Sequence, residues 1–272
     1  SCPDLMRHGL LSQHTSLVGV RVGQGKTVTV RVPDLGMTIS MYDNPVIEAR
    51  YCADAVKERE REMTRIGKAE WMRRGGQWHR PCEASVNHVA ESFDVVLVNL
   101  GRQYQTHRQQ TLPQHGLYAM DVRLAVDAFE RAAAIDPRKL FVFLETAAQH
   151  FRGSAQTGAY EQRDATAYAP RAGGTIDGCY CAPTDWSLDW RNARLHEGLH
   201  EHARSRRVRL MPYYNLTQPR WDMHVAASTQ QHYNLTQGPR RAVCDCTHFC
   251  YDREFWSRAF FPALQTVLLE SE

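Results

Sequence analysis

The chain has 272 residues, of which 43% are hydrophobic and 10% aromatic, so it can bury the core of one large domain. Its formal net charge is only +3, and its basic clusters, such as residues 204–207, lack interleaved aromatic side chains, which argues against a nucleic-acid partner. No apolar run is long enough to predict a membrane span. The chain opens at Ser1 without a signal-peptide pattern, and we expect a processed or incompletely represented N-terminus.

Predicted strands and helices alternate along most of the chain. Alternating or continuous runs rich in β-branched residues predict strands at 27–32, 37–42, 93–99, 140–145 and 208–211. Apolar residues three and four positions apart predict helices at 53–74, 118–134, 190–206 and 253–269. This order is typical of an α/β fold built on a layered sheet.

The segment 93–99 indicates where a ligand would bind. It is nearly all apolar until Asn99 and Gly101, as expected for a central parallel strand that ends at a polar crevice. We therefore expect ligand chemistry at 99–104, at 145–151, and where a Cys-rich segment near the C-terminus folds back. Long irregular loops are predicted at 149–189 and 212–247. Since no segment has the composition of a linker, the sequence predicts one domain over residues 1–272.

Cysteines and glycosylation motifs point to the secretory pathway. The sequons at Asn215 and Asn234 lie in polar surroundings. Together with an even number of cysteines, they favour a disulfide framework in a secreted or luminal protein. The pairing is not deducible from the sequence; the eight cysteines are Cys2, Cys52, Cys82, Cys179, Cys181, Cys244, Cys246 and Cys250.

Residues 244–250, Cys-Asp-Cys-Thr-His-Phe-Cys, form the most informative motif. Asp245 lies three positions before His248, a spacing that can bring its carboxylate to Nδ1 of the imidazole and leave Nε2 to accept a proton from a nucleophile. An Asp and a His in this arrangement are two of the three residues of a hydrolytic triad. The alternative is a disulfide-rich loop in which the two residues have this spacing by chance.

Several segments, in chain order, resemble the PC-esterase group of the SGNH/GDSL hydrolases, which contains the trichome-birefringence-like polysaccharide O-acetyltransferases. Residues 245–250, followed by Trp256, resemble the group's Asp-Cys-Ser/Thr-His-Trp/Tyr-Cys signature, and Arg-Trp-Asp-Met-His at 220–224 is similar to a segment that often precedes it. Residues 93–104 resemble the strand that leads into Asn-Thr-Gly-His-Trp-Trp, and 143–151 are similar to the Arg-Thr-x-Ser-Pro-x-His-Phe segment.

The resemblance implies a three-layer α/β/α sheet and a carbohydrate O-acyl esterase or O-acetyltransferase that is extracellular, on the cell surface or in the Golgi lumen. It implies that Asp245 orients the base His248, and that Asn99 and the backbone amide of Gly101 donate hydrogen bonds to an oxyanion. A strand-end cap is the alternative role for Asn99. No metal or other cofactor is expected. The expected partner is a carbohydrate or glycan, and assembly into an extracellular complex stays open.

The chain departs from the family at the nucleophile. The family's first strand ends in Gly-Asp-Ser, whereas here Cys-Pro-Asp places Asp4 at the Ser position, and the apolar strand before it is missing or altered. An aspartate cannot follow the serine route, because its attack would form a mixed anhydride and give His248 no proton. Three explanations are open: acyl transfer has been lost, the N-terminus is cut or misstated, or another nucleophile such as Ser1 or Ser12 acts. Glu145 also stands where the family has Arg.

Other residues suggest two alternative functions. A carbohydrate-binding or structural glycoprotein on the same fold would use aromatic rings near polar loops, although packing is the commoner use of each: Trp186, Trp190, Tyr213, Tyr214 and Trp221. A zinc protease would use His-Glu-Gly-Leu-His at 196–200, a match to H-E-x-x-H. Gly198 weakens that helix, and Arg191 and Arg194 belong to a face that looks solvated.

Two further interpretations of the cysteines and histidines are disfavoured. Zinc on the cysteines and histidine of 244–250 would require ligands separated by single residues, which cannot readily bend around one ion, so disulfides are favoured. His150 is expected to pack or to anchor a loop rather than act as a base, because His248 is better placed for that role.

Overall fold

The structure of the protein is a computed structural model, and it describes residues 21–22, 28–32, 37–41, 51–74, 81–101, 104, 111–151, 181–184, 189–224, 246, 249 and 252–270. The chain forms two compact units, divided between Ser92 and Phe93. The sequence gives no sign of this division, because the residues around it have no Pro, Gly or Ser-rich composition.

The first unit contains a three-stranded antiparallel sheet in the order β1-β2-β3, formed by Arg21–Val22, Val28–Val32 and Met37–Met41. Val30 lies opposite Ile39 in the β2–β3 pair. The strands predicted at 27–32 and 37–42 are confirmed, but they do not belong to a parallel sheet. Only four residues separate β2 from β3, whereas parallel pairing needs a crossover of about a dozen residues or more.

The described residues that follow in the first unit form three helices: α1 (Ala53–Ile66), α2 (Lys68–Arg73) and α3 (Glu83–Ser92). The helix predicted at 53–74 is interrupted at Gly67, whose φ of 83° favours glycine. Helix α3 is not predicted, because its ten residues contain few apolar side chains. A disulfide joins Cys52 to Cys82, the residues that precede α1 and α3.

The second unit contains a three-stranded parallel sheet in the order β4-β5-β6, formed by Val95–Val98, Leu140–Leu144 and Val208–Met211. All three strands lie within predicted segments. Helix α4 (Thr111–Ile135) lies between β4 and β5 in sequence, and α5 (Trp190–His202) lies between β5 and β6. A short helix α6 (Tyr214–Thr217) and a 3-10 turn (Trp221–Met223) follow β6.

The central strand of the described parallel sheet is β5, and not the strand at 93–99 as the sequence predicts. Both faces of β5 are buried, whereas Val95 and Leu97 of β4 are about half exposed, at 51% and 43%. An apolar run therefore identifies these strands correctly but does not distinguish the middle of this sheet from its edge.

Successive side chains of β5 point to opposite faces of the sheet. The rings of Phe141 and Phe143 contact the ring of Phe129 on α4. Their centroids lie 4.4 and 5.5 Å, respectively, from that of Phe129. The other face packs against the C-terminal helical segment (253–269), which comprises α7 (Arg253–Phe255), a π-helical turn (Trp256–Phe260) and α8 (Phe261–Leu269). The core cluster on this face is formed by buried residues of the strands, the 3-10 turn and the C-terminal helical segment: Leu140, Val142, Met211, Met223, Phe255, Phe260 and Val267. Of the helices in the described ranges, none is long and apolar enough to cross a membrane.

Helices α4 and α5 approach each other closely at Gly198. A Cβ on Gly198 would lie 2.6 Å from Cγ1 of Val122 on α4. We expect Gly198→Ala to lower the free energy of unfolding by about 1–3 kcal/mol, because the overpacking outweighs the better helix propensity of alanine. Gly116 of α4 has open space around it and provides the control, because Gly116→Ala should raise stability by up to about 1 kcal/mol. Urea unfolding measures the free energy of unfolding of both variants. If both substitutions change it in the same direction, the close contact at Gly198 is contradicted.

Candidate functional site

Asn99 joins the carboxyl ends of β4 and β5. Its side-chain amide donates a hydrogen bond to the backbone carbonyl of Glu145, at 3.0 Å. Gly101 is buried, and a Cβ there would lie 1.8 Å from Oγ1 of Thr146 and 3.2 Å from the hydroxyl of Tyr118. Glycine at this position permits the close approach of the two segments. The regions in which ligand chemistry is expected, 99–104 and 145–151, therefore meet at one edge of the sheet.

Glu145, the residue after β5, has a buried carboxylate that accepts two hydrogen bonds. Its Oε1 accepts from Nε2 of His196 at 2.7 Å, and its Oε2 accepts from the backbone N–H of Tyr214 at 2.8 Å. Because His196 lies on α5 and Tyr214 begins α6, this carboxylate ties the end of β5 to both helices. The residue that differs from the family's Arg is thus part of the framework of the site.

The backbone after β5 is held by buried side chains. Asn192 accepts a hydrogen bond from the N–H of Thr146 at 2.7 Å and donates one to its carbonyl at 3.0 Å. The hydroxyl of Thr217 accepts from the N–H of Ala148 at 3.0 Å. These side chains replace the strand partners that the backbone would otherwise need, and they fix the path of residues 145–151.

Arg191 is a buried cation near the start of α5. Its guanidinium forms two hydrogen bonds of 2.6 Å with the carboxylate of Asp189, and it also donates to the carbonyl of Tyr104 at 3.3 Å and to the side chain of Gln149 at 3.4 Å. Burial opposes the charge on Asp189, but the guanidinium outweighs this effect and lowers the pKa of the carboxyl. The prediction that Arg191 lies on a solvated face is wrong, because only 1% of it is exposed.

His150 and His224 form a buried pair of imidazoles. Nδ1 of His150 lies 2.6 Å from Nε2 of His224, and Nε2 of His150 lies 2.7 Å from the carbonyl oxygen of Gln218. Burial lowers the pKa of His150, against smaller opposing effects of the Gln218 carbonyl and of Asp222. His150 is therefore neutral at neutral pH, and it anchors the backbone as predicted.

Two residues of the Cys-rich motif, Cys246 and Phe249, contact this pair. The carbonyl of Cys246 accepts a hydrogen bond from the N–H of His150 at 3.0 Å, and Phe249 forms an antiparallel bridge with His224. The rings of Phe249 and His224 lie 4.2 Å apart. Cys246 is also bonded to Cys181, which confirms a disulfide in this segment.

Several residues predicted for the site lie outside the described residues: Asp4, Trp186, Asn234, Asp245 and His248. The Asp245–His248 pair and the nucleophile position therefore stay predictions. So do the oxyanion roles of Asn99 and Gly101, although the bond from Asn99 to Glu145 is the one that a strand-end cap makes. Asn215, the other sequon residue, is exposed on α6.

The described aromatic residues considered for carbohydrate stacking differ in exposure. Tyr214 is buried, Tyr213 packs edge-on against Phe260, and Trp190 stacks on His115. Trp221 is 39% exposed and lies in the 3-10 turn directly before His224. Trp221 is the most exposed of these described rings, and it lies three residues before His224 in sequence.

The H-E-x-x-H motif lies on α5, where two of its polar side chains, His196 and Glu197, have other partners. Nε2 of His196 is bound to Glu145, Glu197 pairs with Arg194, and Leu199 is buried. In the part of the chain that the structure describes, no three His, Cys, Asp or Glu side chains are grouped so that they could hold a metal ion. The motif has a structural explanation, because Gly198 permits the contact of α5 with α4.

Comparison of the chain with models of protein families, with curated proteins and with solved structures finds no match. Within the described residues, the structure establishes a fold of mixed helices and strands with a small parallel sheet and two disulfides. The resemblance to PC-esterases depends on the sequence segments quoted above.

The sequence patterns do not identify the buried side chains whose hydrogen bonds hold the backbone of the site in place. Asn192 and Arg191 lie on a helix whose many charged residues suggest solvent exposure, and no local pattern distinguishes the two buried polar side chains from their neighbours. His224 has a signal, since it ends the Arg-Trp-Asp-Met-His segment noted for its resemblance. That signal marks the segment without indicating its contact with His150.

Proposed function

We propose that the chain is an SGNH-type protein of the PC-esterase kind, a secreted or luminal relative of carbohydrate O-acyl esterases and O-acetyltransferases that is inactive if Asp4 stands in place of the nucleophilic serine. The observation that carries the proposal is the contact between segments that are far apart in sequence and resemble the family separately. Asn99 is bonded to Glu145, and His150 is bonded to both Cys246 and His224. Unrelated chance matches would have no reason to be neighbours in the fold.

The arrangement of the second unit also supports the proposal. Its parallel sheet has α4 against one face and the C-terminal helical segment against the other, which is the layering expected of an α/β/α domain. Asn99 and Glu145 lie at the carboxyl ends of strands β4 and β5, where open α/β sheets bind ligands. The two disulfides fit a protein of the secretory pathway.

The chemistry that the resemblance implies is acyl transfer through a serine, which this chain replaces with Asp4. The serine Oγ attacks the acetyl carbonyl and gives its proton to Nε2 of His248, which Asp245 orients. The sugar oxygen leaves with that proton, and the acetyl group then passes to water or to another sugar hydroxyl. The second amide hydrogen of Asn99, beyond the one donated to Glu145, serves the oxyanion.

Asp4 favours a second candidate function, a non-catalytic domain that binds carbohydrate at the same site. Exposed Trp221, three residues before His224 in sequence, supplies a ring on which a sugar can stack. In this case Trp221→Ala should weaken binding of an O-acetylated polysaccharide by about three- to tenfold, as measured by calorimetry. Unchanged affinity would remove Trp221 from the binding surface.

Covalent labelling with a fluorophosphonate probe tests the proposal. We expect no labelling of the natural chain above the background of the probe, labelling of Asp4→Ser at least about tenfold above that background, and none of Asp4→Ser combined with His248→Ala. Labelling of the natural chain that requires His248 would instead identify an enzyme with another nucleophile. If folded Asp4→Ser is unlabelled but polysaccharide binds, the binding module is correct. If neither occurs, the proposed function is wrong.

A further inference from the structure

The sequon at 215–217 lies on α6, and the two side chains that define it differ in accessibility. Asn215 is exposed, whereas Thr217 is 0% exposed. An enzyme that modifies an Asn-x-Ser/Thr site must contact both side chains, because the hydroxyl defines the site as much as the amide does. In the folded chain only the amide can be contacted. The folded sequon can therefore carry a glycan on Asn215 but cannot be recognised as an acceptor.

The hydroxyl of Thr217 has its hydrogen-bonding capacity filled. Its oxygen accepts a hydrogen bond from the N–H of Ala148 at 3.0 Å. Its hydrogen is shared between the carbonyl oxygens of Tyr213 and Tyr214, at 3.1 and 3.0 Å. If the hydroxyl turned outwards, the N–H of Ala148, a buried residue, would lose its partner, which is costly. The hydroxyl therefore stays inside while α6 stays in place.

Both ends of α6 are fastened to other parts of the second unit. At its start, the N–H of Tyr214 donates to Oε2 of Glu145 at 2.8 Å. Just after its end, the N–H of Gln218 donates to the carbonyl of Tyr214, and the side chain of Gln218 donates to the carbonyl of Thr184, each at 2.8 Å. Access to the hydroxyl of Thr217 therefore requires the whole of α6 to detach.

We propose that Asn215 is an N-glycosylation site that accepts its glycan only before α6 docks against Glu145 and Ala148. The amide nitrogen of Asn215 attacks C1 of an oligosaccharide carried on a lipid diphosphate. The new bond from nitrogen to C1 replaces the bond from C1 to the phosphate oxygen, the lipid diphosphate leaves with that electron pair, and the nitrogen releases one proton. Because Asn215 is exposed, α6 then docks with the glycan in solvent.

Folding competes with glycosylation for the hydroxyl of Thr217. Glu145 and Ala148 precede the sequon in sequence, so both are already synthesised when Thr217 emerges. Strand β6, which ends at Met211, leads almost directly into α6. Docking of α6 therefore needs little of the chain that follows it, and a chain in which α6 docks first stays unglycosylated at Asn215.

The inference goes beyond the proposed function. It rests only on the part of that proposal that places the chain in the secretory pathway, where lipid-linked oligosaccharides are available, and it involves neither acyl transfer nor Asp4. When the transferase and its donor are supplied in vitro, the acceptor chemistry of Asn215 is measured independently of both the location and the activity of the protein.

In vitro glycosylation of a chain with one sequon tests the proposal. Asn234→Gln removes the other sequon, and this chain, made without glycans, is incubated with oligosaccharyltransferase and its lipid-diphosphate donor. We expect the reduced, alkylated and unfolded chain to be modified at least about tenfold faster than the folded chain. Adding Asn215→Gln should abolish modification in both states. A free peptide of residues 212–220, added to the folded sample, should be modified and show that the transferase is active.

Two variants of the folded chain test whether the docking of α6 protects the site. Glu145→Ala removes the acceptor for the N–H of Tyr214 and should raise the rate of modification by at least about threefold. Glu130→Ala is the matched control, because the carboxylate of Glu130 accepts from the backbone N–H groups of Arg204 and Ser205, which lie before β6. Its rate of modification should equal that of the folded parent chain.

Equal rates for the folded and unfolded chains would overturn the proposal, since the buried hydroxyl would then give no protection. So would an unfolded chain that stays unmodified while the peptide is modified, or equal acceleration in Glu145→Ala and Glu130→Ala. If Glu145→Ala does not fold, the comparison of the folded and unfolded parent chains decides. A negative result concerns Asn215 alone, because acyl transfer is tested separately by the fluorophosphonate probe.

Discussion

Arg191→Met is expected to lower the free energy of unfolding of the second unit by about 3–5 kcal/mol. The guanidinium is 1% exposed and pairs through two hydrogen bonds with Asp189, whose side chain is 14% exposed. Methionine preserves much of the side-chain volume but leaves the Asp189 carboxylate without its cation in a poorly solvated place. Denaturant unfolding of the variant and of the natural chain measures the loss.

Two variants on the same helix make this experiment decisive. Arg194→Met breaks the more exposed pair with Glu197 and should change stability by less than about 1 kcal/mol. Asp189→Asn combined with Arg191→Met should recover part of the loss, because no charge is then left buried alone. If Arg191→Met costs no more than Arg194→Met, the buried ion pair does not have the role assigned to it.

The sequence predicts much of the second unit because its elements have strong local patterns. The segments 93–99, 140–145 and 208–211 are identified as strands from apolar runs, and their structural bounds lie inside those predictions. The break at Gly67 and the separate antiparallel sheet are harder to foresee. Both depend on backbone conformation and pairing partners, which a local apolar pattern does not specify.

The site is predictable in its location but not in its bonding. Asn99 and the segment after β5 follow strands, and the carboxyl ends of parallel strands meet at one edge, so their proximity follows from the pattern. The bonds that hold Glu145 and Thr146 come from His196 and Asn192, about fifty residues away in sequence. Such pairs depend on the packing of α5 against the sheet, which no spacing of residues in one segment reveals.

The disulfide between Cys181 and Cys246 connects to the candidate site through the hydrogen bond that the carbonyl of Cys246 accepts from His150. Since the loop it closes spans 65 residues in sequence, the chain-entropy model gives it about 4 kcal/mol of stabilisation. Replacing Cys181 and Cys246 together by serine should therefore lower the free energy of unfolding by about 2–5 kcal/mol. Both cysteines are buried, so the replacement also places two hydroxyl groups in a core environment, which adds to the loss.

The loss should be accompanied by a local effect on the site. Without the bridge, the hydrogen bond from His150 to the carbonyl of Cys246 is no longer reinforced by a covalent bond from Cys181, and exchange of the His150 amide should rise at neutral pH. Serine at both Cys52 and Cys82 is the matched control, because that bridge spans 30 residues within the first unit and should cost a similar free energy without changing exchange at His150. If both double variants release the His150 amide equally, the Cys181–Cys246 bridge has only a global effect on stability. If only the first does, the Cys181–Cys246 disulfide holds the backbone of Cys246 against that of His150.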